Sequence, residues 1–328
     1  MRTHTALLTL FGMVSACGPP ERNELLLVAR YPLAPAAAAA RTLTVDSAGI
    51  TLGVPGVLLR MDSMGARVIE RIPLPDTTAP RVLGTLERAT LVWQGKHLVL
   101  ARSDPDAVVR EPVSAGTAVA ALDPRRRFVL RGAASGAALG LDLDSLQARW
   151  SWPRLGRATT ALAFAPEGDQ VYLSLAASEA EEARPEILAR DAQTGRELHR
   201  GELPWPARDM IAAPQGRLYV LVARGERGAV LGLAVGPDGV RERWRRALGR
   251  LGLPTAARLA LSPEGNRLAI YAPGSDGGIA VLDARTGESV GQGSAGLLDA
   301  AFDARGALWL LREGELVQVD VAAGRTPR

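Results

Sequence analysis

The feature that most limits what this chain can fold into is a repeat. From Arg41 onward, short apolar runs are punctuated by turn residues about every 8 to 12 positions, the spacing of an all-β chain. The fullest copy lies between Thr159 and Leu203. It reads Ala161-Leu-Ala-Phe164, the turn Pro166-Glu-Gly168, Val171-Tyr-Leu173, then Ile187-Leu-Ala-Arg-Asp191-Ala-Gln-Thr-Gly195 and Glu197-Leu-His199. Weaker copies align on Asp62, Asp104, Asp142, Gly236, Asp283 and Asp320, about 40 to 49 residues apart and closer at the last step. No segment sustains a 3.6-residue apolar period, so a copy of this length is a four-stranded blade and not a pair of helices.

A second, independent series of turns precedes the first in each copy: Asp46-Ser-Ala-Gly49, Gln94-Gly95, Asp123-Pro-Arg125, Pro166-Glu-Gly168, Pro214-Gln-Gly216, Pro263-Glu-Gly265 and Asp303-Ala-Arg-Gly306. Proline presets φ and glycine reaches positive φ, so each is predicted to join an inner strand to the next one. Both series count seven. The expected fold is an all-β, seven-bladed β-propeller of four-stranded antiparallel blades over 24–328, with eight blades as the alternative count. The last copy, 298–302, 307–311 and 316–320, stops without an outer strand, and the orphan run Glu24 to Tyr31 is predicted to supply it and close the ring.

Charge excludes little by its total and more by its pattern. The 328 residues carry 39 Lys plus Arg against 35 Asp plus Glu, a formal +4 with a pI near 9.8. Every basic residue except Lys96 is arginine, interspersed with Glu along the chain. A nucleic-acid footprint needs a stripe or cluster, so no nucleic-acid partner is expected. Cys17 is the sole cysteine, which excludes an intramolecular disulfide and a cysteine-based metal site.

The position of Cys17 carries more information. Met1-Arg2-Thr3-His4 is a short basic segment, and Thr5 to Val14 is apolar but too short to span a bilayer, the pattern of a signal peptide. It ends Val14-Ser15-Ala16-Cys17, which resembles the lipobox of bacterial lipoproteins. That resemblance implies a signal peptide over 1–16, a diacylglyceryl group on Cys17 and a tether over 17–23; a secretory signal cut near Ala16 is the alternative. Two or more acyl chains hold a protein at a membrane where one does not. Gly18 stands where enterobacterial lipoproteins retained at the inner membrane have Asp, so the resemblance implies the cell envelope, on the outer membrane facing the periplasm.

The paired signatures Ser262-Pro-Glu-Gly265-Asn-Arg-Leu-Ala and Leu282-Asp-Ala-Arg-Thr-Gly287 resemble the YVTN and WD-repeat-like propellers of secreted bacterial proteins. Ala189-Arg-Asp191-Ala-Gln-Thr194-Gly195-Arg-Glu-Leu-His199 is similar to the quinoprotein blade motif Ala-x-Asp-x-x-Thr-Gly-Lys-x-x-Trp, with Arg for Lys and His for Trp. Trp150 and Trp244 fall at the same eighth position after Asp142 and Gly236. The resemblance implies that Asp191, Thr194 and Gly195, like Asp283, Thr286 and Gly287, form a structural turn. It implies that Trp150, His199 and Trp244 pin neighbouring blades together.

Catalytic constellations are nearly absent from the sequence. Beyond His4 the histidines are His97 and His199, in different copies, which leaves no cluster for metal or general-base work. No cofactor, metal or catalytic residue is therefore assigned. The competing class is a propeller enzyme, a lactonase-like hydrolase or quinoprotein-like oxidoreductase. Alternating strand directions put the second-to-third-strand loops and the blade-to-blade connectors on one face, where propellers bind partners. Arg154, Arg157, Arg208 and Arg250 are assigned to those connectors as a candidate face for a protein or anionic ligand. The expectation is a monomeric, lipid-anchored protein-binding or scaffolding module.

Overall fold

Each copy of the repeat forms one four-stranded antiparallel sheet, and seven such sheets close into a ring. The computed structural model describes residues 25–321 except 36, 47–48, 63–66, 87–88, 103, 105–107, 113–118, 134–135, 153–155, 179–182 and 295. Cys17, the signal segment, the tether and Arg154 lie outside the described residues. Blades 1 to 6 span 42–73, 81–112, 119–152, 159–202, 207–247 and 258–294. Blade 7 combines 297–320 with the strand Leu26–Pro32.

The inner strands Thr42–Asp46, Arg81–Thr85, Val119–Leu122, Thr159–Phe164, Ala207–Ala213, Arg258–Leu261 and Leu297–Phe302 touch in cyclic order around the axis. Blade 4 shows why the sequence reads as it does. Its second strand, Gln170–Leu175, and third, Glu186–Asp191, are buried on both faces because the blade is sandwiched between two others, so they are continuous apolar runs. Consecutive residues face opposite neighbours. Leu173 and Leu188 join Phe128, Leu130 and Trp152 of blade 3, while Tyr172 and Ile187 join Leu218, Val220 and Leu231 of blade 5. Each fully buried leucine contributes about 1.5 to 3 kcal/mol, and a one-residue slip would turn every side chain to the wrong neighbour. The outer strand Glu197–Glu202 is half exposed and polar.

Leu26–Pro32 runs antiparallel to Glu315–Asp320, with Arg30 opposite Val317 and Tyr31 opposite Leu316. The ring is closed by strands from both ends of the chain, as the sequence predicts, and it has seven blades, not eight. Tyr31 stacks on Trp309 at 5.5 Å between ring centroids. A second device ties blade 7 to blade 1. The Asp299 carboxylate accepts bonds from the Leu43 N–H at 2.8 Å, the Tyr271 hydroxyl at 2.6 Å and the Ala300 N–H at 3.0 Å. Asp209 repeats it between blades 5 and 6, accepting from the Leu259 N–H at 2.9 Å and the Met210 N–H at 3.0 Å. Burial pushes both carboxyls above the usual carboxylate range.

One turn differs from expectation. Gln94-Gly95 joins the second and third strands of blade 2, and its inner strand turns instead at 86–89. That segment, Leu86-Glu-Arg-Ala89, has neither Pro nor Gly, so the stronger signal belonged to Gly95, whose φ is +55°.

Replacing Asp299 with Ala strands three buried donors, the Leu43 and Ala300 N–H groups and the Tyr271 hydroxyl, and is expected to cost about 2 to 4 kcal/mol. Urea unfolding of D299A beside Y271F checks this: Y271F removes only one of the bonds and should cost less.

Candidate binding face at the channel mouth

Strand directions define two faces. Inner strands begin at the blade-to-blade connectors and end at the first-to-second-strand turns, so the beginnings of all seven lie at one mouth of the central channel. The loops Arg224–Arg227 and 272–277, which join second and third strands, share that face.

Arg208 is the second residue of its strand, not part of a connector. The register between Ala207 and Asp209 slips by one residue there, and the bulge leaves Arg208 unpaired and exposed. Bulges commonly re-aim a side chain, and this one directs Arg208 into the mouth. There it lines a cavity of about 380 Å³ together with Arg81, Asp209, Thr255, Ala256, Ala257 and Arg258. A smaller cavity of about 130 Å³ shares Arg81, Arg208 and Asp209 and is walled by Leu83, Trp93, Val119 and Thr160. Arg81 comes from blade 2 and Asp209 from blade 5, so their 3.9 Å ion pair spans the channel between non-adjacent blades.

The other assigned arginines fare differently. Arg157 does not face the channel as a free cation. It is 6% exposed, donates to the carbonyls of Ala176 and Arg184, and pairs with Glu186 at 2.9 Å, tying the connector into blade 4 to that blade's own loop. Arg250 is exposed in the short 3₁₀ turn Leu248–Leu251 between blades 5 and 6 and lines neither cavity. Only Arg208 of the described set reaches the mouth, and Arg81, Asp209 and Arg258 were missed. The available signal was positional: Arg81 and Arg258 are the first residues of inner strands.

The blade motif is local structure. Asp191 Oδ1 accepts from the N–H of Gln193 at 3.1 Å, the N–H of Thr194 at 2.7 Å and the Thr194 hydroxyl at 2.8 Å. Asp283 does the same with Arg285 and Thr286, and Asp142 with Asp144 and Ser145. The Thr194 N–H is the main cause holding the Asp191 carboxyl below its ordinary range, and the Ser145 N–H does this for Asp142. Gly195 and Gly287, both at φ +69°, end these turns. Gly195 lies under the Trp152 indole of blade 3, and Gly287 under Trp244 of blade 5, whose Nε1–H donates to Ala284 O at 3.1 Å.

Trp244 therefore pins two blades, as expected. In blade 3 the task is divided: Trp150 covers Gly140 of its own blade and lies tilted against Trp152 at 5.2 Å between ring centroids, and Trp152 reaches the next blade. Trp150, His199 and Trp244 lie opposite Gly140, Ala189 and Gly232 in one common register, so the partner is glycine wherever the residue is tryptophan. Among the described residues no three His, Cys, Asp or Glu side chains come together as a metal-holding group, and no helix is long and apolar enough to cross a membrane.

No protein-family model matches the sequence, and no curated protein does. Solved structures do match the fold. The β-propeller domain of Cps50 (Swd1) from Myceliophteria thermophila superposes with a TM-score of 0.68 at 12% identity, covering 85% of this chain and 96% of that one. Hydrazine synthase of Kuenenia stuttgartiensis gives 0.66 at 12% identity, covering 88% and 97%. At such identity the likeness is one of fold alone.

Two predictions follow the motif. Gly287→Ala drives a methyl to 2.6 Å from the Trp244 ring at a positive φ, whereas Gly225→Ala meets open space at φ +59°. The first should cost several kcal/mol and the second about 1 kcal/mol, as read from thermal unfolding. Second, Asp191 and Asp142 have lowered folded-state pKa values, so their stabilisation is present above about pH 4 and is lost as pH falls through the folded values. Acid titration of Asp191→Asn should show a shallower loss of stability than the unaltered protein.

Proposed function

We propose that this protein is a lipid-anchored β-propeller of the bacterial cell envelope, a protein-binding or scaffolding module held at the outer membrane through Cys17 and facing the periplasm. The lipobox-like Val14-Ser-Ala-Cys17 supports the anchor. The observation that links anchor to function is where the closing strand starts. Leu26 pairs with Asp320 at the face of the first-to-second-strand turns, opposite the mouth that holds Arg81, Arg208 and Arg258. The residues between Cys17 and Leu26 reach at most about 30 Å when fully extended, at about 3.5 Å each. An anchor on Cys17 would thus keep the turn face towards the bilayer and present the arginine mouth, with its variable loops, to partners in the aqueous space.

A rigid ring suits this use. The blades are fixed by burial and by inter-blade bonds, so the loops on the presented face vary without disturbing the frame.

The test places one probe on each face: Glu226→Cys on the loop beside the mouth and Glu264→Cys on the opposite turn, both exposed. With the mature protein in vesicles, nitroxide lipids should quench a fluorophore at position 264 strongly and one at 226 weakly. Mass spectrometry should find the acyl groups on Cys17, and Cys17→Ser should release the protein from the membrane. In cells, a photocrosslinker at 226 should capture a protein and one at 264 should capture lipid. Equal quenching at both positions, or an unmodified Cys17, overturns the reading.

A further inference from the structure

We infer that the channel mouth is a binding site for a compact multivalent oxyanion, a group bearing two or three carboxylate or phosphate charges, gripped by Arg208 and Arg258 with Arg81 closing over it. The inference deepens the reading of this face as the presented one by naming the chemistry it takes.

The charge balance of the mouth is its first support. Three guanidinium groups line the larger cavity against one carboxylate, that of Asp209. Asp209 is largely committed elsewhere: both its oxygens accept backbone N–H groups that tie blade 5 to blade 6. Its pairing with Arg81 is loose at 3.9 Å, and the Arg81 side chain remains 56% exposed. Asp299, the other acid of the inner strands near this end, is buried and holds three donors of its own.

The free donors are the second support. Among the described residues neither Arg208 nor Arg258 donates a side-chain hydrogen bond; Arg258 acts only through its charge on the buried Asp209 and Asp299 carboxyls, whose pKa values burial raises and Arg258 lowers. For comparison, the half-buried Arg127 pairs with Asp123, and the exposed Arg200 and Arg245 pair with Glu197 and Glu242. Guanidinium forks whose N–H groups hold no acceptor and that converge on one cavity match the planar oxygens of carboxylate and phosphate, which they bind in bidentate fashion. Thr255 adds a hydroxyl to the wall.

The third support is shape. A cavity of about 380 Å³ falls in the range of small-ligand pockets. Because Arg81 reaches it from the far side of the channel, an anion that displaces the loose Asp209 contact would join blades 2, 5 and 6 at one point. Arg208 owes its place to the bulge in its strand, which turns the second residue out of the ladder.

The full chain is titrated by calorimetry at low ionic strength with citrate, with pyrophosphate, and with a short Asp/Glu-rich peptide. Saturable one-site binding of at least one of them is expected. Arg208→Gln and Arg258→Gln should each weaken it about tenfold, and the double variant should abolish it with its melting temperature unchanged. Arg305→Gln, on the opposite face, should leave it intact. Binding of citrate or pyrophosphate alone identifies a free small anion; tighter binding of the peptide, in competition with citrate, identifies the acidic segment of a partner. Absence of saturable binding by all three, or binding that both arginine variants leave unchanged, overturns the inference. The quenching experiment would stand in that case, so the two readings fail separately.

Discussion

Backbone hydrogen bonds between Leu26–Pro32 and Glu315–Asp320 join segments almost a whole chain length apart, and they complete the last blade of the ring. Blades 1 to 6 are each built from consecutive strands with short connections. Without the first strand, blade 7 would have three strands and an exposed edge at the seam of the circle. The entropy of closing so long a loop grows only logarithmically with its length, so one well-packed strand pair suffices to hold it. The Asp299 bonds to blade 1 reinforce this junction from the inside, while Tyr31 on Trp309 reinforces it from the outside. The closing strand also fixes which face of the ring lies beside the preceding residues, and so connects the fold to the proposed anchor.

What the sequence made legible is what is encoded locally. The Asp-x-x-Thr-Gly turn needs a carboxylate, two N–H groups and a positive φ within five residues, and all of them can be read from a string. The same holds for two strands buried on both faces, which appear as unbroken apolar runs such as Ile187 to Ala189. The closing strand was legible for a different reason, as a remainder: one copy lacked a strand and one run lacked a copy.

The rest was illegible because it depends on contacts across blades. Trp150 and Trp152 are two residues apart on the same side of a strand, and no count of positions says which one reaches Gly195. Arg157 looked like a connector cation, but two carbonyls and Glu186 enclose it. Arg81 and Asp209 belong to blades 2 and 5, so their meeting follows from the radius of the ring and from a bulge, neither of which has a sequence signature. Bulges occur in four of the inner strands, at Leu83, Thr160, Arg208 and Leu298, and these residues share no chemistry.

The near-exclusive use of arginine acquires a structural meaning in this light. Arg127 donates to Gly168 O at 2.6 Å, Arg217 to Gly265 O at 3.2 Å and Arg246 to Gly287 O at 2.6 Å, each crossing from one blade to a glycine turn of the next. A planar fork can satisfy a carbonyl and a carboxylate at once, as Arg127 does with Gly168 and Asp123, whereas an ammonium is a point charge that holds neither in a fixed orientation. These cross-blade arginines sit at separate junctions, between blades 3 and 4 and between blades 5 and 6, and form no stripe. Arg208 and Arg258 use the same side chain at the start of inner strands, where among the described residues neither donates a side-chain hydrogen bond. Together with Arg81 they bring three planar forks to one mouth of the channel, a geometry that suits a single anion shared among blades 2, 5 and 6.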